Sequence, residues 1–304
     1  TDTWRTGDFS FTIYSPVRPV PDPYKSTDEE LKDVLVPAVL AELVVDNRGG
    51  SRPRRAFFGY EGSDPYSSMR TWEDEARGIA GVGQGRLTAI ASKDRGAMAA
   101  VRFAIETVIA SPRQENSAFG LGPVAGLVVD VPPGEMRTIR FAVCFYRGGV
   151  VTAGLDATYL YTRWFDSIEA VAAYALERFD DLKRACEEAN RLLDEADHLS
   201  PEQRFMLTHA IRSYYGATQL LDVGGRPFWV VNEGEYRMMN TLDLTIDQAF
   251  FELRMNPWTV RNVLDMYLER FSYSDTVRFP GENVDYPGGI SFTHDMGIAN
   301  LVKP

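Results

Sequence analysis

Ser167-Ile168-Glu169-Ala170-Val171-Ala172-Ala173-Tyr174-Ala175-Leu176 is the stretch at which the period of the chain changes. Ser167 stands where an N-cap is wanted, and Glu169 falls in the first turn, where a carboxylate suits the helix dipole. Ile168, Val171, Ala172, Ala175 and Leu176 then recur at helical spacing, and the pattern continues, dense in charge, to about Ala196. Before this point the chain reads as strands, and after it mainly as helices. β first and α second, joined over residues 148–166, predicts a two-domain α+β protein and not an alternating α/β sheet. The expected domains are a β-sandwich over 1–150 and a helical domain over 151–304.

On the β side, Phe9, Phe11 and Ile13 alternate with Ser10, Thr12 and Tyr14, the period-two signature of a half-buried strand. Pro16, Pro19, Pro21 and Pro23 break that pattern into a loop. The apolar run Val34–Val45 is closed by Asp46-Asn47-Arg48-Gly49-Gly50, a strong turn signal, and together with Arg54–Tyr60 it predicts a hairpin. Further strands are predicted near Arg86–Ser92, Ala100–Glu106, Val124–Asp130 and Thr138–Tyr146. Their spacing and Gly/Pro punctuation point to a sandwich of antiparallel sheets. Gly81-Val82-Gly83-Gln84-Gly85 lacks the Lys-Ser/Thr of a phosphate loop and reads as a glycine-rich turn between strands.

On the α side, Ser200-Pro201-Glu202-Gln203 combines a cap, a first-position proline and the Gln of a capping box. It predicts a helix to about Leu221, ended by Gly224-Gly225. Helices follow near Thr245–Leu253 and Thr259–Phe271, then a loop-rich segment over Pro280–Asn300. Amphipathic helices need partners for their apolar faces, and these lack them. The chain also opens Thr1-Asp2-Thr3-Trp4, without an initiator Met, so it is expected to be an internal piece of a longer protein.

The 304 residues are 44% hydrophobic and 25% charged, the balance of a globular chain with a sizeable core. The net charge is −11, from 43 acidic against 32 basic residues. That balance excludes nucleic acid as an expected partner, because its binding rests on clustered Lys and Arg, and an anionic membrane surface equally. No apolar run reaches the roughly 20 residues of a spanning helix. Cys144 and Cys186 form neither a disulfide framework nor a CxxC spacing, which fits a reducing compartment.

Chemistry is concentrated in Phe228-Trp229-Val230-Val231-Asn232-Glu233-Gly234-Glu235-Tyr236-Arg237-Met238-Met239-Asn240. If this segment is extended, Glu233 and Glu235 project the same way into one pocket, and two like charges that close need a cation, hydrogen bonds or a substrate. A solvated acidic turn is the competing reading, since exposed Glu is the norm. Trp229, Tyr236, Tyr214, Tyr215, Phe250, Phe251 and Trp258 lie within reach in sequence, and aromatic faces with carboxylates, Asn and Arg are the groups that hold a sugar; the same aromatics could be ordinary core. His198 reads as solvated and His209 as packed. His294 and Asp295 sit in a glycine-rich loop and read either as a polar wall for a hydroxyl-rich ligand or as a structural loop. One His and one Asp cannot complete a metal shell, so no metal is expected.

The acidic segment resembles the family 52 glycoside hydrolases, the bacterial β-xylosidases. So do Phe250-Phe251-Glu252-Leu253-Arg254-Met255-Asn256-Pro257-Trp258, Tyr286-Pro287-Gly288-Gly289-Ile290-Ser291-Phe292-Thr293-His294-Asp295-Met296-Gly297, Arg54-Arg55-Ala56-Phe57-Phe58-Gly59, and Phe141-Ala142-Val143-Cys144-Phe145-Tyr146-Arg147-Gly148-Gly149. The resemblance implies an N-terminal β-sandwich, lacking its first strands here, followed by the first helices of an incomplete (α/α)6 barrel. It implies a retaining, exo-acting xylan 1,4-β-xylosidase that needs no metal or organic cofactor, is cytoplasmic, and is a homodimer when full length. Glu233 is the implied nucleophile, with Glu235 as second choice and Arg237 as a cation to keep it ionised. Asn232, Glu235, Tyr236, Arg237, His294 and Asp295 are the implied contacts to a xylo-oligosaccharide. The family's general acid/base is an aspartate further downstream, with no match in this chain, so little turnover is expected from the piece alone. A non-catalytic carbohydrate-binding protein and a purely structural module are the alternatives.

Overall fold

A computed structural model describes residues 1–15, 17–64, 66–110, 112, 122–152 and 155–298, the Glu235 side chain excepted. The elements run β1 (Asp2–Thr6), β2 (Phe9–Tyr14), α1 (Asp28–Leu35), β3 (Ala38–Asp46), β4 (Arg54–Glu61), β5 (Met69–Asp74), β6 (Ile79–Gln84), β7 (Thr88–Ser92) and β8 (Met98–Arg102). Then come α2 (Ile105–Ala110), β9 (Val124–Val131), β10 (Met136–Phe145), β11 (Ala157–Tyr159), α3 (Ile168–Glu177), α4 (Phe179–Asp194) and α5 (Pro201–Gly216). The chain continues through β12 (Thr218–Val223), β13 (Arg226–Glu233), β14 (Met238–Met239), α6 (Leu242–Met255), α7 (Pro257–Arg270), β15 (Ser272–Val277) and β16 (Tyr286–Phe292). Two compact units form: Thr1–Pro16, Val36–Arg147 and Arg163–Asp197 make the first, and Val17–Leu35, Gly148–Thr162 and His198–Pro304 the second.

The first unit is a sandwich of two antiparallel sheets. The larger has the order β1-β2-β3-β10-β7-β6-β5 and the smaller β4-β9-β8. Their facing sides share one core: Ala41, Leu43, Val82, Ile90, Ile139 and Phe141 from the larger sheet meet Ala56, Val101, Leu127 and Val129 from the smaller. Alternation along each strand sends the other residues outward. Among these are the small, buried Ala89 and Ala91 of β7 and Ala142 and Cys144 of β10, and α3 packs against both strands. α2 covers β8 and β9, with Val108 against Ala100, Val124 and Val128. Cys144 and Cys186 are both buried thiols, and burial drives the Cys144 pKa upward, so Cys144 is an inert packing residue.

Several local expectations change in three dimensions. β3 and β4 are not a hairpin. β3 lies between β2 and β10, and β4 pairs with β9 in the opposite sheet, so the Asp46–Gly50 turn carries the chain across the sandwich. The Gly81–Gly85 segment is not mainly a turn: Ile79–Gln84 is strand β6, opposite β5. Gly81 pairs with Trp72, and a Cβ there would lie 2.1 Å from the indole, so the glycine makes room for a ring. The run Val34–Val45 begins inside α1, whose start is a capping box that sequence reading missed: Thr27 Oγ1 accepts from Glu30 N at 3.3 Å, and Glu30 accepts from Thr27 N at 2.8 Å. The helix predicted to reach Ala196 is two, α3 and α4, meeting at Arg178.

In the second unit the Ser200 capping box forms as predicted. The helix it starts ends at Gly216, not near Leu221, because Thr218–Val223 is claimed by β13 as a strand partner. The expected loops of Pro280–Asn300 contain β16, paired with β15. The unit therefore holds a four-stranded sheet, β11-β12-β13-β14, and a two-stranded one beside its helices. No residue of α5 is buried, and Phe205, Met206, Phe250 and Leu268 of α5, α6 and α7 stand exposed. His198 is exposed; His209, expected to pack, is exposed too, with its ring edge-on to Phe205 at 4.4 Å. Among the described residues no helix is long and apolar enough to cross a membrane.

Candidate active site

The site is built on the hairpin β12–β13. Val223 pairs with Arg226 across Gly224 and Gly225, both at positive φ (59° and 91°), the two-residue turn whose twist matches the strands. Pro227–Val230 are buried, and the strand emerges half-buried at Val231, Asn232 and Glu233. There the backbone leaves the extended conformation. Gly234–Tyr236 form a 3-10 turn, Arg237 is left-handed (φ 57°), and Met238–Met239 return to pair with Glu233 and Asn232. Glu233 and Glu235 are thus not alternate residues of one strand, so strand alternation gives no reason for both to face one way. The Glu235 side chain lies outside the described residues.

Asn240 closes this turn. Its φ of 48° is a left-handed conformation that Asn tolerates better than most residues. Its Oδ1 accepts from Val231 N (2.8 Å) and its Nδ2 donates to Trp229 O (3.0 Å), so the side chain extends the edge of β13. The buried Tyr267 hydroxyl donates to Asn240 O. Thr241 follows as the N-cap of α6, yet its side chain does not cap the helix; its hydroxyl donates to Glu233 Oε2 at 2.8 Å. Val231, Asn232, Glu233, Asn240, Thr241, Leu244, Thr245 and Gln248 line a narrow pocket with a cavity volume of ≈ 10 Å³. This is smaller than the about 300–1,000 Å³ of ordinary ligand sites. Asn232 Oδ1 and Gln248 Oε1 are buried there without a hydrogen-bond partner among the described residues, and a sugar hydroxyl would satisfy either.

The remaining expected site residues are distributed more widely. Tyr236 and Arg237 are exposed on the turn, and Arg237 forms no ion pair with Glu233, whose partner is the Thr241 hydroxyl. His294 Nδ1 lies 3.2 Å from Asp295 Oδ2, with the imidazole 72% exposed. Their loop nevertheless belongs to the same neighbourhood. His294 O accepts from Leu242 N at 2.8 Å, and Met239 exchanges backbone hydrogen bonds with Met296 and Gly297. The aromatic group divides: Trp229 is buried edge-on to Trp258 at 5.7 Å and Tyr214 packs on Phe251 at 4.8 Å, whereas Phe250 and Tyr236 are exposed. Trp258 Nε1 donates to Val20 O and Asn256 Oδ1 accepts from Val20 N, so this motif fixes the proline-rich loop. Thr241, Asn240 and Gln248 were missed; the available signal was a Thr-Leu-Asp helix start placed directly after the acidic turn. Among the described residues no cluster of three or more His, Cys, Asp or Glu side chains could hold a metal ion.

The glycosyl hydrolase family 52 model matches residues 1–304. The chain belongs to that family. It is 60% identical over 300 residues to a beta-xylosidase of Geobacillus stearothermophilus, covering 99% of this chain and 42% of the relative. A second beta-xylosidase from the same organism is 49% identical over 302 residues, 98% of this chain and 48% of the relative. The chain thus spans less than half the length of the curated relatives it matches.

This family 52 chain holds a further acid, Glu252, buried on α6. Burial raises its pKa, only partly offset by the Tyr214 hydroxyl, which donates to Oε1 at 2.7 Å, and by Trp229 and Thr259. A carboxyl whose folded pKa is raised contributes its full stability below the unfolded value near 4.5 and loses it as pH rises through the folded one. Gln keeps the acceptor and cannot ionise. Glu252→Gln is therefore expected to melt above the parent at pH 7.5, with the gap closing at pH 4.5. Melting curves at the two pH values check this; a gap that widens on acidification contradicts it.

Proposed function

We propose that the chain is the nucleophile-bearing part of a retaining, exo-acting β-xylosidase. The observation that carries this reading is Glu233: a carboxylate at the end of β13, lining the pocket and held by the Thr241 hydroxyl, in a family whose matched relatives are beta-xylosidases. Glu233 Oε1 attacks the anomeric carbon of a terminal β-xyloside, the C1–O bond breaks, and the glycosyl-enzyme ester is hydrolysed by water. Asn232 and Gln248 supply hydroxyl contacts, with Glu235, Tyr236, Arg237, His294 and Asp295 as contacts for further parts of the oligosaccharide.

Retaining hydrolysis needs a second carboxyl about 5–5.5 Å from the first. Among the described side chains Glu233 is the pocket's one acid. We assign the general acid/base to the part of the longer family 52 enzyme not represented in this chain, along with the helices that complete an (α/α)6 barrel, so this piece alone turns over ordinary xylosides slowly or not at all. The small pocket is in keeping with walls contributed from elsewhere.

The test is covalent trapping with 2,4-dinitrophenyl 2-deoxy-2-fluoro-β-xyloside, after circular dichroism has shown a folded chain. Dinitrophenolate leaves without a proton, so the acid/base is not needed, and fluorine slows hydrolysis of the ester. One 2-fluoroxylosyl adduct on the peptide holding Glu233 is expected. Xylose binding with no adduct would favour a carbohydrate-binding role instead.

A further inference from the structure

The Thr241 hydroxyl is at a helix N-cap but does not serve the helix. An N-cap Thr ordinarily accepts from the N–H groups of the first turn; this one makes no such bond and instead donates to Glu233 Oε2 at 2.8 Å. Thr241 is 3% exposed, so the contact is not a chance surface encounter. The residue before it is held on three sides. Asn240 is in the left-handed region, its amide is bonded to Val231 N and Trp229 O, and its carbonyl accepts from buried Tyr267. Its backbone N–H also donates to Val231 O at 2.9 Å. The strand end that carries Glu233 and the helix start that carries Thr241 are thereby locked in one register, with Oε1 left without a hydrogen-bond partner among the described residues.

We propose that Thr241 is a positioning residue for Glu233: its hydroxyl holds Oε2 so that Oε1 is presented to the anomeric carbon, and the Asn240–Tyr267 brace fixes Thr241 for that task. The inference rests on Glu233 being the nucleophile. A positioned carboxylate accelerates bond formation without contributing to sugar affinity, so removing the hydroxyl should act on the covalent step alone.

The experiment is the trapping reaction followed in time by intact mass, with reagent varied to separate the maximal labelling rate from the half-saturating concentration. Parent, Thr241→Val and Thr241→Ser are compared, each with its melting temperature. Thr241→Val keeps the shape and removes the donor; it is expected to lower the maximal rate about 10–100-fold, as for loss of a hydrogen bond to a charged group, with half-saturation unchanged. Thr241→Ser should recover most of the rate. The melting temperatures show that each variant is folded at the labelling temperature, so that slow labelling is not loss of folded chain. Labelling of Thr241→Val at the parent's rate overturns the positioning role while leaving the nucleophile in place. So does equal slowing in both variants, or a change confined to half-saturation. Absence of label at Glu233 in both the folded parent chain and the full-length family 52 enzyme overturns the nucleophile assignment, and this inference with it.

Discussion

Glu233→Gln is expected to lower turnover of aryl xylosides by the full-length family 52 enzyme on the order of 10⁴-fold, which is ~5.5 kcal/mol of barrier. An amide oxygen is a poor nucleophile, and no stable ester can form through it, so the first covalent step is lost and not merely slowed by misplacement. The Thr241 hydroxyl can still donate to the amide oxygen, and the side chain keeps its size, so xylose should bind the variant about as it binds the parent. Steady-state rates with an aryl xyloside and calorimetric titration with xylose separate the two quantities. A companion variant, Glu233→Ala, with added azide makes the assignment stereochemically specific. If Glu233 is the nucleophile, azide enters from the face the carboxylate vacated and yields the α-xylosyl azide, the aryl leaving group departing from the opposite side. A β-azide would mark Glu233 as the acid/base, and undiminished turnover would remove it from the chemistry.

The second large effect belongs to the sandwich. Phe141 of β10 is fully buried and lies 5.0 Å, centroid to centroid, from Phe58 of β4, which lies 5.2 Å from Phe11 of β2. Two rings come from the larger sheet and one from the smaller, so the stack joins the facing layers. Phe141→Ala should cost about 3–5 kcal/mol, combining lost transfer free energy with a cavity that a rigid two-sheet core cannot collapse. Phe141→Leu should cost well under half of that. Urea unfolding followed by far-ultraviolet dichroism measures both, and the double variant Phe58→Ala/Phe141→Ala should fall short of the sum of the single variants, since the rings share one contact. Additive losses would mean that the rings do not act as a unit.

Much of the local structure was legible from the residues. Strand β2, strands β7 to β10, the caps at Ser167 and Ser200, and helices α6 and α7 follow from period, cap and turn chemistry that act within a few residues. The matched motifs also identified the family, which its whole-chain match shows. The capping box at Thr27 was a local signal overlooked; three other errors are places where a distant partner overrode a local signal. Gly81 reads as a turn until Trp72 is placed across from it. Thr218–Val223 reads as the end of a helix until β13 is placed beside it. The turn at Asp46–Gly50 reads as a hairpin until β9 and β10 claim the strands on either side.

The same division holds at the site. A carboxylate-rich, aromatic-flanked strand end stands out from the residues alone as a candidate site, because acid groups and turn residues are visible one at a time. Which groups meet Glu233 depends on the tertiary structure. The 3-10 turn at Gly234–Tyr236 breaks the alternation that would have paired Glu233 with Glu235, Trp229 withdraws into packing, and Tyr236 and Arg237 turn to solvent. Thr241, eight residues beyond Glu233, becomes its partner only because Asn240 folds the chain back on β13 and Tyr267, from another helix, holds it there. Composition and period report the preferences of neighbours in sequence, whereas a hydrogen bond between a strand end and a helix start depends on the packing that sets their separation.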